Sequence, residues 1–163
     1  MPTNEKLVLV VEDDEPKLRA VIGFLRENLH GKVEILSSGS LSSAIRVLST
    51  RRVHLAIVDM SLPTFDFATD SAGGGQPQGF GGADILRFIH SETESTLSVA
   101  LTQYEEFTLS NDGVRRDLAS LAEVLRQELD SRFLGVVHYS GQHGEWQRAL
   151  LGVLDAAEIG DEK

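Results

Sequence analysis

Acidic residues directly follow two apolar segments of the sequence. Glu12, Asp13 and Asp14 come directly after residues 7–11, and Asp59 comes directly after residues 53–58. Taken alone, the first group would equally favour a helix N-terminus through the helix dipole. Carboxylates that converge on one crevice repel each other, and a hard divalent cation such as Mg²⁺ relieves that repulsion. A carboxylate held beside Mg²⁺ can also act as a nucleophile and form an acyl phosphate.

Two further polar residues follow apolar segments later in the chain. Thr102 comes after residues 97–101, and its hydroxyl can donate a hydrogen bond to a phosphoryl oxygen. His138 comes after residues 133–137. An imidazole near carboxylates is readily protonated, so His138 is either a weak cationic partner of the site or an incidental polar residue.

The elements that must position these residues follow from the hydrophobic pattern. Five short apolar runs predict strands, at residues 7–11, 33–36, 53–58, 97–101 and 133–137. Amphipathic segments predict five helices. The first starts at residues 13–16, has the apolar stripe Leu18, Val21, Ile22 and Leu25, and stops at Gly31. The second is capped by Ser40, the third and fourth cover residues 83–89 and 113–129, and the last contains Trp146 and Leu150.

Strands and helices in alternation predict an α/β fold, a doubly wound five-stranded parallel sheet with helices on both faces. Ligands of such sheets bind beyond the carboxyl ends of the strands, at the switch in strand order. Glu12, Asp59, Thr102 and His138 all follow strands at this edge, so we expect them to share one site.

Three segments of the sequence resemble the receiver domain of response regulators, the signalling module of two-component systems. They are residues 8–16 with the acidic group, residues 56–63 around Asp59, and residues 99–102 ending in Thr102. The resemblance extends in order over nearly the whole chain. It implies the flavodoxin-like (βα)5 receiver fold.

The same resemblance implies a role for each matching residue. Asp59 becomes the phosphoacceptor, with Mg²⁺ as cofactor. Asp13 becomes a direct Mg²⁺ ligand, Glu12 a ligand through water, and the backbone carbonyl of Ser61 a further ligand. Thr102 senses the phosphoryl group. The implied partners are a sensor histidine kinase or phosphotransfer protein as donor and a downstream protein that detects the phosphorylated form; a homodimer is a further candidate assembly.

One departure from the family pattern concerns its lysine, which stands at the end of the fifth strand and pairs with the phosphoryl group. The sequence has no lysine between Lys32 and Lys163, and His138 occupies that place. We therefore consider His138 as a replacement for the lysine. The departure puts phosphorylation in doubt and leaves open a receiver-like module that is not phosphorylated.

Two insertions are also unusual for the family. Residues 64–82, with Gly73 to Gly75 at their centre, predict a long glycine-rich loop, either a lid or docking segment beside Asp59 or a disordered insertion. The segment between Thr102 and the fifth strand is long, and we expect an extended helix over 113–129. A longer helix on this face would alter partner choice or dimerisation.

Length and composition restrict the class of protein. The 163 residues suit one domain, and a net charge of −10 argues against nucleic acid and anionic membranes as partners. The sequence has no cysteine, which excludes disulfides and thiolate metal sites. No apolar stretch approaches a secretion signal or a membrane span, so we expect a cytoplasmic protein.

The main hypothesis is a stand-alone receiver domain, not an enzyme, that accepts a phosphoryl group on Asp59 and acts through protein–protein interaction. The alternative is a pseudo-receiver, an interaction module of the same fold that is not phosphorylated. A small Mg²⁺-dependent phosphatase is a third hypothesis. It is weakened because no second acid follows Asp59 closely and no general acid–base pair is apparent.

Overall fold

The computed structural model describes residues 6–29, 33–60, 81–103, 106–108, 115–140 and 144–159. In chain order the elements are β1 (Lys6–Val11), α1 (Glu15–Asn28), β2 (Val33–Ser38), α2 (Leu41–Thr50), β3 (Leu55–Asp59), α3 (Gly81–Glu92), β4 (Leu97–Thr102), β5 (Glu106–Thr108), β6 (Arg115–Asp117), α4 (Leu118–Glu128), β7 (Phe133–His138) and α5 (Glu145–Ala156).

Five of these strands form one parallel sheet in the order β2-β1-β3-β4-β7. The central strands β1, β3 and β4 are buried along almost their whole length, as expected for continuous apolar strands covered on both faces. The strand order reverses between β1 and β3, so a crevice opens where these two strands end. The predicted doubly wound α/β fold is confirmed.

Two hydrophobic cores lie on opposite faces of the sheet. One core contains Val21 and Leu25 from α1 and Leu150 from α5. The other contains buried apolar residues of α2, α3 and α4, among them Ala44, Ile85 and Leu121. Burying each large apolar side chain contributes about 1.5–3 kcal/mol, so the two cores hold the strand ends in place.

Helix α1 begins directly beside the acidic residues. Asp14 is its N-cap, with a side-chain oxygen that accepts a hydrogen bond from the Lys17 backbone N–H at 3.0 Å. The fully buried positions of the helix are Lys17, Val21 and Leu25, spaced by four residues. The helix ends at Asn28. The predicted stop at Gly31 lies outside the described residues.

The segment between β4 and β7 differs from the expected single helix over 113–129. Residues 106–108 and 115–117 form an antiparallel strand pair, and α4 starts only at Leu118. The charged residues 115–117 lack the apolar spacing of the helix, which becomes regular with the buried side chains of Leu121, Leu125 and Leu129. Antiparallel pairing with 106–108 therefore decides the conformation of this segment.

The predicted glycine-rich loop over 64–82 falls largely outside the described residues. Its last two positions do not belong to a loop, because Gly81 and Gly82 open α3. A Cβ on Gly82 would collide with the Asp59 carbonyl oxygen and lie 2.6 Å from the Met60 Cα. Glycine thus allows α3 to start directly against the end of β3. Among the described helices, none is both long enough and apolar enough to cross a membrane.

Candidate functional site

Three carboxylates meet in the crevice between the ends of β1 and β3. The pairing of Val11 with Val58 sets Glu12 beside Asp59. One carboxylate oxygen from each of Glu12, Asp13 and Asp59 lies within 4.8 Å of the others. Glu12 and Asp59 are buried, at 4% and 3% exposure, whereas Asp13 is exposed. The structure therefore brings together the acidic residues that the sequence predicts to converge.

Glu12 is held through both of its oxygens. Oε1 lies 2.7 Å from the Lys17 ammonium, and Oε2 accepts a hydrogen bond from the Asp14 backbone N–H at 3.1 Å. Burial, followed by repulsion from Asp59, raises the pKa of Glu12 to about 8, against the opposing attraction of Lys17. Burial and Asp59 also raise the pKa of Asp13. The positive charge of Lys17 thus does not balance the carboxylates of the crevice, and this favours binding of an added cation.

Lys17 is a site residue that the sequence analysis missed. Its side chain is 3% exposed, and its Nζ lies 3.4 Å from Asp59 Oδ1 and donates a hydrogen bond to the Leu101 carbonyl oxygen at 3.3 Å. The signal was the helical spacing, because position 17 precedes Val21 and Leu25 by four and eight residues on the inner face of α1. A lysine at an inward position requires a buried anion.

Thr102 and His138 lie at the ends of the neighbouring strands, where they pair in register. Thr102 is fully buried, and its carbonyl oxygen accepts a hydrogen bond from the Tyr139 backbone N–H at 2.7 Å. His138 is half-buried. Within the part of the chain that the structure describes, the cation found at ion-pair distance from Asp59 is Lys17. Ser61, the remaining predicted ligand, lies outside the described residues.

A β-bulge decides which residue of β7 faces Lys17. The register with β4 shifts between Ser98 and Ala100, where β7 contributes an extra residue and Gly135 adopts φ +127°. Beyond the bulge, Val137 and Tyr139 belong to the core under α1 and α5. The Tyr139 ring centre lies 5.5 Å from the Lys17 Nζ, within cation–π range.

The donor set of the crevice fits a hard divalent cation. Among the described residues, its candidate ligands are carboxylate oxygens, close together and partly open to solvent through Asp13. Oxygen ligands of this kind are those that Mg²⁺ prefers. Since Glu12 already uses both oxygens, the exposed Asp13 is better placed than Glu12 to bind the ion directly.

Comparisons with known proteins show which solved structures share this fold. No protein-family model matches the sequence. An uncharacterized protein, y4jR, of Sinorhizobium fredii is 24% identical over 142 residues, which cover 87% of this chain and 92% of that protein. The receiver domain of an HD domain-containing protein from Pseudomonas fluorescens superposes with a TM-score of 0.62 at 19% identity, over 95% of this chain and 96% of that one. A CheY-like receiver domain from Methanospirillum hungatei gives 0.61 at 14% identity, over 95% of each chain.

The chain has the fold of a CheY-like receiver domain. The receiver domain of Francisella response regulator 1452 agrees, with a TM-score of 0.60 at 12% identity over 94% of this chain and 96% of that one. In this receiver fold the carboxylates and Thr102 lie at the strand ends, together with a buried lysine that comes from α1.

Proposed function

We propose that this receiver accepts a phosphoryl group on Asp59 from a histidine kinase or phosphotransfer partner in the cytoplasm. The supporting observation is the setting of Asp59, which is buried at the end of β3 with two carboxylates and an ammonium around it. Output passes to a downstream protein through contact surfaces, so the protein transmits a signal rather than turning over a substrate.

The transfer is a nucleophilic displacement at phosphorus. An Asp59 carboxylate oxygen forms the new O–P bond as the bond from phosphorus to the donor breaks. From phosphohistidine the imidazole leaves with the electron pair and takes up a proton; from acetyl phosphate, acetate leaves. Asp13 and Asp59, together with Glu12, would hold Mg²⁺, which would offset the charge on the transferring group. Thr102 donates its hydroxyl to a phosphoryl oxygen.

Acetyl phosphate with Mg²⁺ tests the proposal directly. We expect intact-mass spectrometry to detect one added phosphoryl group on the wild type and none on Asp59→Asn. Asp155→Asn is the matched control, because it removes a carboxylate exposed on α5 and should be phosphorylated normally. Equal labelling of wild type and Asp59→Asn would refute Asp59 as the acceptor.

A second function has one specific observation in its favour. Lys17 supplies a resident positive charge among the carboxylates, which is what a pseudo-receiver that binds no metal would use. Calorimetric titration with Mg²⁺ separates the two. Saturable binding that Asp13→Asn weakens supports the phosphorylated receiver, whereas absence of binding together with absence of labelling supports the pseudo-receiver.

A further inference from the structure

Lys17 occupies an unusual position for a lysine. It projects from the inner face of α1 into the crevice, almost excluded from water, where it contacts Glu12, Asp59 and the Leu101 carbonyl oxygen. These are three oxygen contacts, and an ammonium has three N–H groups to donate. Burying an ammonium is costly unless its partners are well placed, and these three oxygens are the partners that offset the cost.

Phosphorylation would change the charge beside this ammonium. An ionised Asp59 carries one negative charge, whereas a phosphoryl group carries about −1.5 to −2. The added charge appears beyond the Asp59 oxygens, and Lys17 Nζ already lies 3.4 Å from Oδ1. A small movement of the flexible side chain transfers an N–H from a carboxylate to a phosphoryl oxygen, and no proton needs to leave the ammonium.

His138 is less well placed for this task. Side chains alternate along a strand, so His138 lies on the opposite face of β7 from Val137 and Tyr139. Those two residues belong to the core that α1 covers. The bulge at Gly135 thus aligns Tyr139, rather than His138, with the helix that carries Lys17.

We propose that Lys17 is the cation that binds the phosphoryl group on Asp59, and that the Tyr139 ring keeps it directed into the crevice. The inference rests on the proposed phosphorylation of Asp59. It makes α1, instead of the end of the fifth sheet strand, the source of the positive charge. His138 then has no required role in phosphoryl binding.

The neighbouring aromatic residues provide a direct readout. Tyr139 lies 5.0 Å from Trp146 between ring centres, and Phe24 of α1 lies 5.3 Å from the same indole. Trp146 is the single tryptophan in the sequence. Movement of Lys17 against Tyr139 should therefore change the fluorescence of this one residue.

Beryllofluoride with Mg²⁺, a phosphoryl mimic, is the probe. Isothermal titration calorimetry measures its binding to the full chain in every variant, and Trp146 fluorescence follows the movement of Lys17 in the wild type. We expect Lys17→Met to weaken binding by about a hundredfold, the typical effect of removing one group that stabilises a developing charge. Lys17→Arg keeps the charge and should recover part of the loss. His138→Gln should bind as wild type does. Lys6→Met, at the other end of β1, is the control for loss of a lysine.

Each outcome decides a separate question. If the wild type binds the mimic and folded Lys17→Met binds it equally well, the role of Lys17 is wrong while the proposed function stands. If the wild type neither binds the mimic nor takes up a phosphoryl group, the proposed function itself fails. Near-UV circular dichroism checks folding. Should Lys17→Met fail to fold, Tyr139→Leu, which keeps every charge, must weaken binding severalfold, and unchanged binding there overturns the inference.

Discussion

The pKa of Glu12 reflects the charge balance of the site. Glu12 contacts a cation on one side and a backbone N–H on the other, yet its pKa rises to about 8 because burial and Asp59 outweigh that support. Among the described residues, the crevice holds three carboxylates and one ammonium, which contacts two of them. A proton or a divalent cation must compensate the remainder, and the two compete for the same oxygens.

We predict that, in the presence of a chelator, the free energy of unfolding decreases as pH rises from about 4.5 to about 8. Glu12 titrates near 4.5 when unfolded and near 8 when folded, so the folded state binds more protons in this window and loses its advantage as they dissociate. Asp13 contributes with the same sign. Urea unfolding at several pH values measures the slope, which Glu12→Gln should flatten. An equally steep slope in that variant would assign the effect to other groups.

The sequence predicts the carboxylates of the site but not its lysine. Glu12, Asp13 and Asp59 could be expected to converge because the carboxyl ends of parallel strands share one edge. Lys17 reaches the same point from a helix face, and the sequence alone does not show which oxygens lie opposite that face. Its inward spacing with Val21 and Leu25 was the available signal.

At the scale of elements, the junction of β3 and α3 brings two backbones close together beside the site. Gly82 places the start of α3 against the Asp59 carbonyl and the Met60 backbone, which fixes the direction in which Asp59 leaves the sheet. We predict that Gly82→Ala destabilises the protein by about 1–3 kcal/mol, since neither backbone can yield easily. Urea unfolding measures the change.

Gly23 is the matched control, because it also lies within a helix, α1, but a Cβ added there would meet no atom within 4 Å. Gly23→Ala should stabilise by about 0.5–1 kcal/mol, the gain expected when alanine replaces a helical glycine. If both substitutions change stability in the same direction, the contact at Gly82 is not the constraint we describe.

The elements that the sequence predicts best are those with a local cause. Ser40 accepts a hydrogen bond from the Ser43 backbone N–H and caps α2 as expected, and the strands coincide with the apolar runs to within two residues. The strand pair 106–108 and 115–117 was missed because neither segment is an apolar run, so its conformation depends on the pairing itself. The bulge at Gly135 depends in the same way on its register with β4.

At the scale of the whole molecule, a net charge of −10 means that any salt stabilises the protein to some extent by screening repulsion. A bound cation acts differently, because it stabilises only the folded state by an amount that follows its affinity. At a concentration a hundred times the dissociation constant, this linkage contributes about 2.7 kcal/mol. The two effects can therefore be separated.

We predict that MgCl₂ raises the thermal unfolding midpoint more than NaCl does at equal ionic strength. The excess should disappear in Asp13→Asn and in Asp59→Asn, because both remove an oxygen ligand from the crevice. Asp155→Asn changes the net charge by the same amount on exposed α5 and should keep the excess. Differential scanning calorimetry measures all four proteins. If the control variant loses the Mg²⁺ effect as fully as Asp13→Asn does, the stabilisation arises from general screening and the crevice holds no magnesium site.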